Sequence, residues 1–109
     1  MIIGSTIKKK IKEHAKQEHP RECCGLIVDK DGELICVKSQ NASFEKNMFR
    51  VNPRDYLAAS NLGEIVAVYH SHVNGKESFS EFDKFNSINH DLTYVVFNTQ
   101  TNSLAQFSP

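Results

Sequence analysis

The segment Ile65-Val66-Ala67-Val68-Tyr69-His70-Ser71-His72 restricts the fold more than any other part of the chain. Ile65 to Tyr69 is apolar at every position, so a strand built from it has no polar face to turn towards water. Such a strand belongs at the centre of a sheet covered on both sides by helices. The rest of the chain supplies that cover. Ile7, Ile11, His14, Ala15 and Glu18 recur at helical spacing above a lysine-rich, solvated face, and His19-Pro20 ends the helix. Cys23 to Asp29 and Glu33 to Ser39 read as strands joined by the turn Asp29-Lys30-Asp31-Gly32, an Asp-Gly hairpin signal. A further strand is expected around Met48 to Val51. Asn52 then caps a helix that opens on Pro53, runs to about Leu62 and stops at Gly63. After the central strand a helix is expected from Ser80 to about Asn89, with Phe82 and Phe85 as core contacts. Strands at Thr93 to Asn98 and Leu104 to Phe107 close the chain around a polar turn at Thr99 to Ser103. The fold class is therefore α/β, a mixed central β-sheet sandwiched between helices. His14 and His90 are expected on helix or loop surfaces.

With 109 residues the chain has material for one core, and residues 1–109 are expected to form a single domain. Thirteen basic residues balance thirteen acidic ones, which gives no electrostatic reason to expect nucleic acid or an anionic membrane as partner. No apolar stretch reaches the roughly 20 residues of a membrane span, and Met1-Ile2-Ile3-Gly4-Ser5-Thr6 followed by lysines lacks a signal-peptide centre. A cytoplasmic location follows as the expectation. Cys23, Cys24 and Cys36 are an odd set without framework spacing, so free thiols are expected, with Cys23 and Cys24 as small buried strand residues. Asn41-Ala42-Ser43 matches a glycosylation acceptor by chance in that compartment.

The central strand ends in chemistry. His70 and His72 lie two apart, so in an extended strand both imidazoles leave the same face and can converge on one ion. Asp83 can supply a third ligand if the chain loops out through Asn74-Gly75 and returns in a helix capped by Ser80. Two histidines and a carboxylate leave a fourth tetrahedral position open, the ligand count of a catalytic zinc site. Each piece has a plainer reading: Ser80 and Asp83 make a good helix start, and a histidine at a strand end is often just a satisfied side chain. The pieces together favour the metal. A zinc deaminase would also need Pro-Cys-x-x-Cys downstream, which the chain lacks.

The spacing His70-x-His72-x(7)-Ser80-x-x-Asp83 resembles the JAMM motif of the MPN family of zinc-dependent peptidases and isopeptidases. From about Pro20 onward the chain also resembles the small MPN domain at the front of phage tail assembly proteins of the lambda K type, notably in Phe49-Arg50-Val51-Asn52-Pro53-Arg54-Asp55-Tyr56-Leu57 and Gly63 to His72. Val73 departs from the proline common after the second histidine and leaves the ligands untouched. The resemblance implies the MPN architecture, similar to the cytidine deaminase α/β/α fold, and one Zn2+ per chain on His70, His72 and Asp83. It also implies Glu22, just before the first strand, as acid/base, and Ser80 as the donor that stabilises the oxyanion. Without the resemblance Glu22 reads as a solvated strand-end residue beside Arg21. His19 is a weaker candidate for substrate contact.

The function so implied is hydrolysis of a peptide or isopeptide bond by metal-activated water, in phage tail assembly or processing. The partners implied are protein or peptide substrates such as tail proteins. Two alternatives accompany it: a tail-tip structural or protein-binding module that retains the metal site, and a hydrolase that processes a ubiquitin-like sulfur carrier. The short loops Gln40 to Asn47 and Val73 to Phe79 leave little room for the added segments with which eukaryotic relatives grip ubiquitin. Phage relatives often continue into an NlpC-type cell-wall peptidase, which is absent from this sequence, so a separate partner or a longer parent protein is implied.

Overall fold

In the computed structural model, which describes residues 3–44, 49–73 and 81–109, the apolar run forms strand β3 (Glu64–His72), buried continuously from Ala67 to His72. Strands β1 (Cys24–Lys30) and β2 (Glu33–Ser39) precede it, and β4 (Thr93–Asn98) and β5 (Ser103–Phe107) follow. They form one five-stranded sheet in the order β2-β1-β3-β4-β5. Every neighbouring pair is antiparallel except β3 and β4, which run parallel, so β3 sits in the middle of a mixed sheet. Helix α1 (Ser5–Glu18) covers one face, where Ile7, Ile11 and Ala15 pack on Cys23, Ile27, Ala67, Tyr69, Val95 and Phe97. Helix α2 (Pro53–Leu62) covers the other, with Ala59 against Leu26, Val28, Val68 and Tyr94. The crossover from β3 to the parallel β4 carries helix α3 (Glu81–His90), as a parallel pair requires a long connection.

Local chemistry explains the joints. Asp31 and Gly32 both have positive φ, 53° and 88°, the signature of a type I′ hairpin turn, and Asp29 Oδ1 accepts from Gly32 N at 2.9 Å. Asn52 caps α2 by accepting from Arg54 N at 2.9 Å, with Pro53 in the first turn. Gly25 and Tyr69 are register partners, and a Cβ on Gly25 would collide with the fully buried Tyr69 ring.

Three expectations are corrected. His14 is buried, not on the surface: it falls on the same helical stripe as Ile7, Ile11 and Ala15, and its Nδ1 lies 2.8 Å from the Tyr69 hydroxyl, which satisfies it inside the core. Phe85 is 63% exposed, because Asp83 and Ser87 occupy the inward side of α3 and a residue two positions after Asp83 points the opposite way. The strand expected at Met48 to Val51 is reduced, among the described residues, to one antiparallel bridge between Val51 and Asn41, while Met48 and Phe82's side chain lie outside what is described.

Candidate metal centre

His70 and His72 project from the carboxyl end of β3 on the face shared with α2, and α3 returns Asp83 to the same point. The two Nε2 atoms are 3.1 Å apart, Asp83 Oδ1 is 3.3 Å from His70 Nε2, and Asp83 Oδ2 is 3.5 Å from His72 Nε2. A tetrahedral zinc site with bonds of about 2.0 Å has ligand–ligand edges of about 3.3 Å, so three of its corners are already in place. All three residues are buried. Burial holds the His70 imidazole below its ordinary pKa against the opposing pull of Asp83, which leaves the ring neutral and its lone pair available. Two imidazole nitrogens and a carboxylate, each offering one ligand atom within 4.8 Å of the others, form a group that could hold a metal ion. The donor set fits a divalent metal with nitrogen and oxygen preferences.

The rings are held by their surroundings. Phe49 stacks on His70 at 4.2 Å and 17°, and Tyr94 meets the same ring edge-on at 6.2 Å. His70 Nδ1 has no hydrogen-bond partner among the described residues, so stacking takes the orienting role that a second hydrogen bond usually has in metal sites. The His72 carbonyl accepts from both the backbone N and the Oγ1 of Thr99, each at 3.2 Å, which ties the end of β3 to the β4–β5 turn.

Glu22 lies just ahead of β1 and is 4% exposed. Burial raises its pKa from 4.5 to about 7; the charge on His72 lowers it, and that on Asp83 raises it further. The carboxyl therefore shares an electrostatic environment with the ligand cluster and binds its proton near neutrality. The neighbouring thiols are inert by comparison: burial pushes Cys23 up to about 11 and Cys24 up to about 12, and all three cysteines are free. His19 is exposed and lines a groove of about 410 Å³ with Lys12, Lys16 and Val73, outside the ligand cluster. His90 is exposed, and Ser80 lies outside the described residues.

Residues 5–108 match the family model of prokaryotic homologs of the JAB domain. The chain belongs to this JAB-domain family. Over 75 residues it is 40% identical to the tail tip assembly protein K of Escherichia phage N15, a match that covers 68% of this chain and 31% of that protein. The chain thus spans under a third of the relative's length. A solution structure of a protein from Desulfitobacterium hafniense superposes with a TM-score of 0.71 at 22% identity, covering 94% of this chain and 77% of that one. A JAB1/MPN domain protein from Archaeoglobus fulgidus superposes at 0.59 with 20% identity, covering 94% and 83%. These likenesses establish the JAB/MPN fold. The family includes JAMM peptidases alongside non-catalytic members.

Within this JAB domain, several residues that build the site were not singled out by sequence pattern. Phe49 and Tyr94 frame His70 and also line a groove of about 430 Å³ between α2 and α3, together with Arg50, Tyr56, Val68 and Asn86. Thr99 anchors the second histidine, and Asn41 accounts for the backbone ahead of β1. Only Ser71 had a legible signal: between two histidines on one face, it must point to the other.

Proposed function

We propose that this JAB domain is a JAMM-type zinc peptidase or isopeptidase that acts on protein substrates in phage tail assembly or processing. The observation that carries the reading is the convergence of His70, His72 and Asp83 beside a buried Glu22 whose proton affinity lies near neutrality. His70, His72 and Asp83 would hold one zinc ion per chain, which supplies Lewis acidity to water and to the scissile carbonyl. Glu22 takes the proton of the attacking water and delivers it to the leaving amine, a task suited to a carboxyl that titrates close to the working pH. Ser80, three residues before Asp83 and outside the described region, is assigned the oxyanion donor role from the motif spacing. The groove lined by Phe49, Arg50, Asn86 and Tyr94 offers a place for the substrate chain. Residues 1–109 act as one domain in the host cytosol, alone beside a partner or as part of a longer parent.

A second reading has its own support. The similar phage protein is named for tail tip assembly, so a binding module with a retained metal site is the competing function. The two part on chemistry. Zinc-loaded protein incubated with the tail proteins encoded beside it should generate a new terminus detectable by mass spectrometry, and Glu22→Gln should abolish it. Binding without cleavage, unchanged in Glu22→Gln, favours the module. The metal assignment is tested separately by elemental analysis: about one zinc per chain is expected, and zinc that persists after His70→Ala and His72→Ala together removes the proposal.

A further inference from the structure

Glu22 lies outside the strand ladder, since β1 pairs with both neighbours only from Cys24 onward. Its backbone is nonetheless fixed. The peptide unit that joins Glu22 to Cys23 is a rigid plane with one acceptor and one donor, and a different element grips each end. Asn41 Nδ2 donates to the Glu22 carbonyl at 2.8 Å, and Cys23 N donates to Ser71 Oγ at 2.8 Å. Ser71 lies between His70 and His72 with its side chain on the opposite face, and its own N donates back to the Cys23 carbonyl at 3.1 Å. The strand that carries the histidines therefore holds one end of the plane that carries the base.

Asn41 holds the other end, and its orientation is determined. Its Oδ1 accepts from Ser43 N at 2.9 Å and from Arg50 N at 3.1 Å, so a flipped amide would set NH2 against two N–H donors. Its backbone bridges Val51. It is 6% exposed, which also removes it as a glycosylation acceptor. A buried amide that satisfies two loop donors and donates an N–H to the Glu22 carbonyl couples the path after β2 to the base.

We propose that Asn41 is a positioning residue for Glu22: with Ser71 it clamps the Glu22–Cys23 peptide plane and so aims the carboxylate at the metal cluster. This rests on the assignment of Glu22 as acid/base. Side-chain hydrogen bonds replace the ladder at the one residue whose placement decides proton transfer, and a misplacement of about 1 Å there costs roughly a hundredfold in rate.

The test uses zinc-loaded protein and two readouts. Asn41→Asp keeps acceptors for Ser43 N and Arg50 N but faces the Glu22 carbonyl with an oxygen; Asn41→Ala removes the contact without adding charge. In either variant the Cys23 amide should exchange with deuterium at least tenfold faster than in the parent while Leu26, inside β1, keeps its protection. Equal acceleration at both amides, or failure of both variants to fold with zinc, makes Asn41 an ordinary stabilising residue and overturns the proposal. On the tail-protein peptide from the terminus assay, kcat should fall about tenfold to a hundredfold with KM and zinc content unchanged. In a Glu22→Gln background the Asn41 substitution should add no further loss. If Glu22→Gln is inactive but Asn41→Asp keeps the parental kcat, the positioning role fails and the base stands. If Glu22→Gln keeps full activity, the base assignment fails, and the exchange data still decide whether the clamp exists.

Discussion

Placing Glu22 in a buried site costs stability, and that cost can be measured without any substrate. In the folded protein its pKa rises from 4.5 to about 7, chiefly because burial disfavours the carboxylate. The folded state therefore binds this proton more tightly than the unfolded chain. Stability is full at low pH and falls as pH rises from 4.5 through 7, the reverse of an ion-paired carboxylate. The difference between the two values corresponds to about 3 kcal/mol once both states have ionised, at about 1.4 kcal/mol per pH unit. At pH 5 most of the cost is absent, and about 1 kcal/mol remains.

Glu22→Gln keeps the shape and removes the charge. In metal-free protein the variant should exceed the parent by about 3 kcal/mol at pH 8 and by about 1 kcal/mol at pH 5. Urea unfolding of both proteins at both pH values gives the quantity, and titrating groups that do not interact with Glu22, such as His14, cancel in the double difference. Zinc should shrink the gap, because a cation beside the carboxyl favours its charged form. On the proposed mechanism the same substitution should abolish hydrolysis, so the residue that weakens the metal-free fold would be the one the chemistry needs. A variant less stable than the parent at pH 8, or a gap that does not change with pH, would refute the argument.

Two further outcomes test the fold that presents the site. Tyr69→Phe removes the hydroxyl that lies 2.8 Å from His14 Nδ1 and leaves a buried nitrogen unsatisfied, so urea unfolding should show a loss of about 1–3 kcal/mol with zinc content intact. Gly25→Ala forces a methyl into the buried Tyr69 ring, and unfolding should register a loss of about 1–3 kcal/mol; an unchanged midpoint would mean that the ring is free to move aside.

The architecture was legible where one periodicity acted alone. Ile65 to Tyr69 could be read only as a central strand, and the structure places β3 between β1 and β4 with helices on both faces. Asp31-Gly32 and Asn52-Pro53 carry their turn and cap chemistry in the sequence itself. Reading failed where polarity and position disagreed. His14 has a polar side chain at an apolar position of α1, and the deciding partner, Tyr69, is 55 residues away. Phe85 is the converse, an apolar ring on the outward side of α3 because the inward side is given to Asp83. The short extended piece that ends at Val51 looks like a strand in sequence, yet Arg50 N bonds to the Asn41 side chain instead of extending a ladder.

The site divides along a similar line. His70, His72 and Asp83 were legible because the period of two fixes one face of a strand and a helix start fixes the turn that brings the acid back. Glu22 was different: spacing alone left it a solvated residue, and only the resemblance raised it. In the fold it is buried, for a reason no local pattern contains. Its carbonyl is held by a side chain 19 residues on, and the next amide by one 48 residues on. Candidate ligands that share a strand can be found from spacing, whereas a carboxyl that reaches them from the segment ahead of β1 is placed by long-range hydrogen bonds. Ser71 belongs to both groups. Alternation alone puts it on the face away from the histidines, and there it accepts from the Cys23 amide, so one strand carries the two candidate ligands and also fixes the backbone next to Glu22.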